Sequence, residues 1–209
     1  MTPSSVDVTF GAPVVAVDHN AGSSSLPSVD SDNFNGAVTA TDYLIGLGHR
    51  RIGFLEGRAD LESARLRKGG YRHALEKAGI TVDPALIRVG EFQPESAEDA
   101  ARQLLTTGGE PSAIFAANDV SALATISVAR SLGLRVPDDL SVIGFDNVPE
   151  SALSDPPLTT IEQPIQQMGF DATRLLIGLI DGEEVPSTHT MLPTRLVVRG
   201  SCRPLEERV

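Results

Sequence analysis

The strand–helix–strand unit of residues 113–147 constrains the fold more than any other part of the sequence. Its two apolar runs, Ala113–Ala116 and Ser141–Phe145, are separated by a segment of helical character. Two parallel strands joined by a helix place their carboxyl ends at the same edge of a sheet. Ligands of open α/β sheets bind outside that edge. We therefore expect Asn118 and Asp146, which follow the two runs, to face one cleft and to bind a small polar molecule.

Short apolar runs and helical stripes alternate along the rest of the chain. The predicted strands are Pro13–Val17, Ile52–Leu55, Ile87–Val89 and, as strand or extended chain, Met191–Val198. The predicted helices are Asn33–Leu47, Ser63–Ala78, Glu95–Thr106 and Gln166–Ile180, with glycines near their carboxyl ends. Residues 1–12 and 19–28 are predicted to be irregular. The alternation predicts an α/β fold with parallel sheets and helices on both faces.

The charge of the chain argues against a nucleic-acid-binding surface. Arginine and lysine total 17 against 28 aspartate and glutamate, which gives a net charge of -11. Binding to duplex DNA needs clustered cations, and Lys68 and Lys77 are the only lysines. No apolar run approaches the about 18 residues that a membrane span requires. The first ten residues lack a signal-peptide pattern and Cys202 is the single cysteine, so we expect a cytoplasmic protein.

Motifs of catalysis and of metal binding are missing from the sequence. It contains no GxxxxGK phosphate loop, no GxGxxG and no GxSxG nucleophile elbow. The four histidines have no ligand-like spacing, and a lone cysteine cannot complete a zinc site. We therefore predict a protein that is not an enzyme and that needs no cofactor or metal.

Several segments resemble, in order, the effector-binding domain of the LacI/GalR family of bacterial transcriptional regulators. They are GAPVVAVD (Gly11–Asp18), the GHRRI signature within Val29–Gly57, SARLRKGGYRHAL (Ser63–Leu75), FAANDVSALATISVARSLGLRVPDDLSVIGFDN (Phe115–Asn147), PPLTTIEQP (Pro156–Pro164) and LPTRLVVRGSC (Leu192–Cys202). The resemblance implies a two-lobed periplasmic-binding type I fold and an effector domain that senses a sugar or a related small polar molecule, most simply for a repressor. It also implies that the protein is a homodimer. It implies that operator DNA is a partner that binds only through a helix-turn-helix. A periplasmic solute-binding protein for sugar uptake is the alternative.

The same resemblance divides the chain into two lobes. Residues 32–160 with 191–209 would form the carboxyl-terminal lobe. Residues 1–31 with 161–190 would form a remnant of the amino-terminal lobe. The helix-turn-helix and the front half of that lobe have no counterpart in the sequence, so we expect an incomplete amino-terminal lobe and a truncated chain.

The resemblance assigns ligand contacts to several of the residues noted above. Arg67 matches the family's effector-binding arginine, and its guanidinium can offer two donors to hydroxyls or to a carboxylate. Asp146 can accept two hydrogen bonds from adjacent hydroxyls, although an Asx turn with Asn147 would also explain it. Asn118 can contact a ligand or cap a helix. Phe92, in the segment GEFQPES, is either a core residue or a stacking surface, and a base-stacking phenylalanine occurs in a similar motif within the family.

Asp18 and Asp32 complete the candidate site. Each can be a cap or an acceptor for a ligand, and the sequence does not decide between these roles. Arg67, Asn118 and Asp146 suit a sugar, whereas Phe92 leaves a purine as the alternative effector.

Overall fold

The computed structural model describes residues 13–18, 26–107, 109–183 and 189–205. The irregular structure predicted for residues 1–12 and for most of 19–28, and the part played by Gly108 in ending a helix, lie outside the described residues. Two compact units are present: the described residues within Met1–Ser31 and Pro164–Leu192 form the smaller one, and those within Asp32–Gln163 and Pro193–Val209 form the larger one.

The elements follow one another in a largely alternating order. The strands are β1 (Ala16–Val17), β2 (Ser28–Ser31), β3 (Ile52–Glu56), β4 (Ile87–Val89), β5 (Ala113–Ala116), β6 (Ser141–Asp146), β7 (Thr159–Glu162), β8 (His189–Leu192) and β9 (Arg195–Val197). The α-helices are α1 (Asn33–Gly46), α2 (Glu62–Lys77), α3 (Pro94–Thr106), α4 (Asp119–Ser131), α5 (Pro149–Leu153) and α6 (Ile165–Ile180), and a short 3-10 helix covers Pro84–Leu86.

The larger unit contains a six-stranded sheet in the order β4-β3-β5-β6-β7-β9. Its strands are parallel except β9, which pairs antiparallel with β7. All four residues of β5 are buried, as expected for a strand that is covered on both faces. The carboxyl ends of β3, β5, β6 and β7 therefore meet at one edge of this sheet.

Successive side chains of the central strands enter two separate cores. Phe115 and Ile143 belong to a core that includes Leu44 and Tyr71 of helices α1 and α2. Ile114 and Val142 belong to the opposite core, which includes residues of helices α3 and α4. Since neighbouring strand residues point to opposite faces, both faces need a helical cover. The predicted fold class, parallel sheets with helices on both faces, is confirmed.

A close approach of α1 and α2 fixes the first of these helical layers. A Cβ on Gly70 would lie 2.4 Å from the carbonyl oxygen of Phe34 and 2.8 Å from the Cβ of Ala37. The Tyr71 hydroxyl donates to the carbonyl of Ile52 at 2.8 Å, which ties α2 to β3. This contact helps to set where the amino-terminal half of α2 lies relative to the strand ends.

The smaller unit contains a three-stranded parallel sheet in the order β1-β2-β8. Val29, Met168 and Ala172 form its buried core, with α6 packed on the sheet. Four apolar side chains of α6 are exposed: Ile165, Phe170, Ile177 and Ile180. Among the described helices of both units, none is long and apolar enough to cross a membrane.

Three sequence predictions differ from the observed elements. The predicted strand Pro13–Val17 is reduced to Ala16–Val17, and Ser28, predicted to be irregular, begins β2. The predicted single segment Met191–Val198 is divided into β8 and β9, which belong to different units. Pro193 helps to explain the division between β8 and β9, because it has no backbone N–H to continue the hydrogen-bond ladder of a strand.

The unit boundaries fall slightly later than those expected from the sequence. The smaller unit resumes at Pro164 and not at residue 161, and the larger unit resumes at Pro193 and not at residue 191. The boundary at Pro164 follows from strand pairing. The segment Thr159–Glu162, expected to be only a crossover, is strand β7 between β6 and β9 and so belongs to the larger unit.

Candidate ligand-binding site

Polar groups gather at the carboxyl edge of the six-stranded sheet in the larger unit. Ala117 and Asn118 follow β5, Asp146 is the last residue of β6, and Gln163 follows β7. Arg67 reaches the same edge from the second turn of α2. Parallel pairing brings these groups together from distant parts of the sequence.

The Arg67 guanidinium lies at the centre of this group, and the residue is 3% exposed. Its Nε donates to Oδ1 of Asn33 at 2.8 Å, and its Nη1 donates to the carbonyl oxygen of Ala117 at 2.6 Å. Nη1 also lies 3.3 Å from Oδ1 of Asp146. Several acceptors thus orient the guanidinium, and a buried arginine needs such partners to offset its desolvation.

Asp146 has two partners at the same oxygen. Its Oδ1 accepts from Nε2 of Gln163 at 2.6 Å as well as facing Arg67. The Asp146 side chain is 19% exposed. A carboxylate held in this way can accept hydrogen bonds from ligand hydroxyls.

Aromatic rings border the arginine. The Phe145 ring centroid lies 3.8 Å from Cζ of Arg67, a distance typical of a cation–π contact, and the Phe92 centroid lies at 5.6 Å. The Phe92 ring lies against Gly57, where a Cβ would come within 2.0 Å of its Cζ. Phe92 is thus half-buried beside Arg67 and provides a flat apolar surface at the edge of the site.

The turn after β6 has an unusual backbone. Asp146 has φ +117° and Asn147 has φ +60°. A second such pair occurs at Glu91 and Phe92, with φ +54° and +60°. Left-handed non-glycine residues are held by their surroundings and cluster at functional sites.

A buried carboxyl lies beneath the first of these turns. Asp119, at the start of α4, is fully buried and accepts from the Thr160 hydroxyl at 2.5 Å and from the Val148 N–H at 2.9 Å. Burial raises the pKa of Asp119 to about 7, while the hydrogen bonds from Thr160 and from the backbone oppose that rise.

The remaining candidates have other local roles. Asn118 caps α4, since its Oδ1 accepts from the Ser121 N–H at 2.9 Å. Asp32 caps α1, where Oδ1 accepts from the Asn35 N–H at 3.0 Å. Asp18 follows β1 in the smaller unit with φ +48°. Arg67, Asp146 and Phe92 are therefore brought together, and Asn118 is attached to the same edge through its cap.

Sequence reasoning did not assign three groups that the structure places in this site. Asn33, predicted only as the first residue of a helix, is an acceptor for Arg67. Gln163, which lies within PPLTTIEQP and is not among the predicted ligand contacts, donates to Asp146. Phe145 was only the end of a strand. The alternation of β6 could have revealed Phe145, but no sequence signal pairs Asn33 with Arg67.

The chemistry of the site is that of binding. It offers charged donors, a carboxylate acceptor, an amide and an aromatic surface. Within the described residues, no group of three or more His, Cys, Asp or Glu side chains could hold a metal ion.

Comparisons with known proteins agree with this description. Residues 41–202 match the family model of the periplasmic binding protein-like domain. The HTH-type transcriptional repressor CytR of Escherichia coli K12 is 41% identical over 193 residues, which are 92% of this chain and 57% of CytR. The chain spans about half the length of the curated relatives it matches.

Solved structures of regulators have the same fold. A complex of the transcriptional regulator CelR with cellobiose has a TM-score of 0.84 and 38% identity, covering 90% of this chain and 58% of that one. A dimeric lac repressor has a TM-score of 0.86 and 31% identity, covering 94% of this chain and 71% of that one. These relatives are transcriptional regulators and not enzymes. The chain therefore belongs to the LacI family, within its periplasmic binding protein-like, effector-binding domain.

Proposed function

We propose that this chain is the effector-binding domain of a transcriptional regulator and that it binds a sugar through Arg67 and Asp146. The observation that carries the proposal is the pairing of a buried, oriented guanidinium with a partly exposed aspartate side chain at one sheet edge. Adjacent sugar hydroxyls can donate to the carboxylate and accept from an arginine. The CelR–cellobiose complex supports a sugar as the ligand class.

A purine is the second candidate effector. It is favoured by Phe92, whose ring lies near Arg67 and offers a stacking face. A base would use that face and the amide of Gln163 or Asn118, whereas a sugar would depend more on Asp146. The two candidates therefore respond differently to substitution of Phe92 and of Asp146.

Ligand-observed NMR with cellobiose and with adenine tests both candidates, because it detects binding as weak as roughly millimolar. We expect cellobiose to bind, and Asp146→Asn to weaken binding by about a hundredfold, as expected when a charge-assisted acceptor is lost. Arg130→Lys is the matched control, since Arg130 pairs with the exposed Asp155 on the protein surface.

If adenine binds, and if this binding is lost in Phe92→Ala but kept in Asp146→Asn, the effector is a purine and not a sugar. No binding of any sugar or base tested would refute the proposed site. Equal affinities of wild type and Asp146→Asn would show that the ligand binds elsewhere.

The regulatory role is proposed from the relatives, which are HTH-type repressors and regulators. Such a role places the protein in the cytoplasm as a homodimer, with operator DNA bound through a helix-turn-helix and not through this acidic domain. Deleting the gene should change the same set of transcripts that the sugar changes in the wild type. Transcript profiles that share no genes would contradict it.

A further inference from the structure

The turn after β6 sets the direction of the Asp146 carboxylate. Two consecutive left-handed non-glycine residues, Asp146 and Asn147, form this turn. Each such residue is in a strained backbone conformation that persists only where its surroundings hold it. Something in the larger unit must therefore hold the turn, and two groups do so from opposite sides.

Asp119 holds the turn from the side of α4. Its Oδ2 accepts the Val148 N–H at 2.9 Å, and its Oδ1 is bound by the Thr160 hydroxyl at 2.5 Å. Gly144 makes room for this carboxyl, because a Cβ there would lie 2.2 Å from Oδ1 of Asp119. The contact therefore links α4, β6 and β7 directly to the turn.

Arg199 holds the turn from the side of β9. Its Nη2 donates to Oδ1 of Asn147 at 2.7 Å, and its Nη1 donates to the carbonyl oxygen of Leu158 at 2.7 Å. Nδ2 of Asn147 in turn donates to Oε1 of Glu162 at 3.1 Å. The Asn147 amide is thus fixed at both ends, and its backbone with it.

A neighbouring arginine keeps Glu162 ionised for its contact with Asn147. Arg195 donates to Oε2 of Glu162 at 2.8 Å through Nε, and this bond lowers the pKa of Glu162. The carboxylate therefore stays ionised as an acceptor for the Asn147 amide.

We propose that Asp119 and Arg199 are positioning residues of the ligand site, which hold the turn Asp146–Val148 so that the Asp146 carboxylate faces Arg67. The expected effect on ligand affinity rests on the proposed function. Neither residue needs to touch a ligand, since Asp119 acts through the backbone N–H of Val148 and Arg199 through the side chain of Asn147. Loosening the turn lets Asp146 leave the geometry that Arg67 and Gln163 define, and ligand affinity falls.

Arg199→Lys tests the proposal, because lysine keeps the charge but cannot bond Asn147 and Leu158 through one planar fork. Hydrogen exchange of the Val148 amide is the first readout. We expect it to exchange at least about tenfold faster in Arg199→Lys, while the Ala117 amide, bonded to Leu55 in the sheet, keeps its rate. Arg130→Lys, whose Arg130 bonds the carbonyl of Asp155 in another loop, should leave both rates unchanged.

Affinity for cellobiose, measured by ligand-observed NMR, is the second readout. We expect about tenfold weaker binding in Arg199→Lys and less than about a twofold change in Arg130→Lys. Asp119→Asn, which keeps a side-chain carbonyl for the Val148 N–H, should bind closer to wild type than Asp119→Ala. An equal loss in both would contradict the role given to the Val148 contact, because Asp119→Asn keeps the packing and an acceptor for that N–H.

The outcomes separate this inference from the proposed function. An unchanged Val148 exchange rate in Arg199→Lys would overturn the inference. Faster exchange with unchanged affinity would also overturn it, because the turn would then not position the ligand. If the wild type binds no probe, the proposed function fails, and the exchange rates still decide whether the two residues hold the turn.

Discussion

Nη1 of Arg67 lies 3.3 Å from Oδ1 of Asp146, although 79 residues separate the two in sequence. The contact is made entirely within the larger unit. Arg67 is also bonded to Asn33 and to the carbonyl of Ala117, so three parts of this unit converge on one guanidinium. The groups that would meet a ligand are therefore oriented before any ligand is bound, which lowers the ordering cost of binding.

Removing the acceptor that orients Arg67 should destabilise the fold. In Asn33→Ala the Arg67 Nε loses its bond to Oδ1, and leaving a buried donor without this partner costs about 1–3 kcal/mol. Urea denaturation measures the loss. Asn33→Asp is the control, because it keeps an acceptor at the same place and should lose less. Equal stability of wild type and Asn33→Ala would mean that the bond contributes nothing to folding.

Two neighbouring glycines in α2 should respond in opposite directions to alanine. Gly70→Ala places a Cβ 2.4 Å from the backbone oxygen of Phe34, and overpacking of this kind costs about 1–3 kcal/mol or more. At Gly69 the nearest atom, in the Phe34 ring, is 3.5 Å away, so Gly69→Ala should gain up to about 1 kcal/mol of helix propensity. Thermal and urea unfolding of the pair measure the difference. Similar stabilities of the two variants would contradict the close helix contact.

The contribution of His49 to the stability of the protein should be lost as the pH is lowered through the titration range of histidine. His49 is buried between Ser112 and Ser141, and its Nε2 lies 3.1 Å from the carbonyl oxygen of Arg203. Burial lowers the pKa of His49, partly offset by the bond to Arg203. In the unfolded chain the histidine has a pKa of about 6.5, so as the pH falls it binds a proton before the folded chain does. The stability that His49 contributes above that pH is therefore lost below it.

Unfolding free energies measured from pH 8 to pH 5 test this dependence. One proton gives a slope of at most about 1.4 kcal/mol per pH unit. His49→Gln should be less stable than wild type at pH 8, and this difference in unfolding free energy should shrink as the pH falls to 5. Thr173→Val, an exposed substitution that removes no titratable group, is the control and should keep the wild-type slope. An identical slope in His49→Gln would assign the acid sensitivity to other groups.

The single cysteine should be unreactive in the folded protein. The Cys202 Sγ lies 3.1 Å from the carbonyl oxygen of Val142, and burial raises the pKa of the thiol to about 12. Because the thiolate is the reacting form, a disulfide reagent at pH 8 should label native protein at least about a hundredfold more slowly than urea-unfolded protein. Native labelling as fast as that of the unfolded chain would show that Cys202 is accessible.

Local patterns predicted most of the elements of the larger unit. The apolar run Ala113–Ala116 is β5 and Ile87–Val89 is β4, and Asp32, for which the sequence left a cap and a ligand acceptor open, caps α1. These elements depend on short-range periodicity and capping, which a sequence displays directly. Strand β7 was missed because PPLTTIEQP has few apolar residues, and the segment becomes a strand only by pairing with β6 and β9.

The sequence by itself determined the class of the fold and two of the polar groups at the carboxyl edge of its larger sheet. Alternating strands and helices require a parallel sheet, and a parallel sheet places Asn118 and Asp146 at one edge. Only the tertiary structure decided how these groups are used: Asn118 caps α4, while Asp146 faces Arg67 and Gln163. The physical reason is that a guanidinium on one helix, a carboxylate at a strand end and the arginine that holds its turn meet through packing, which no local pattern records.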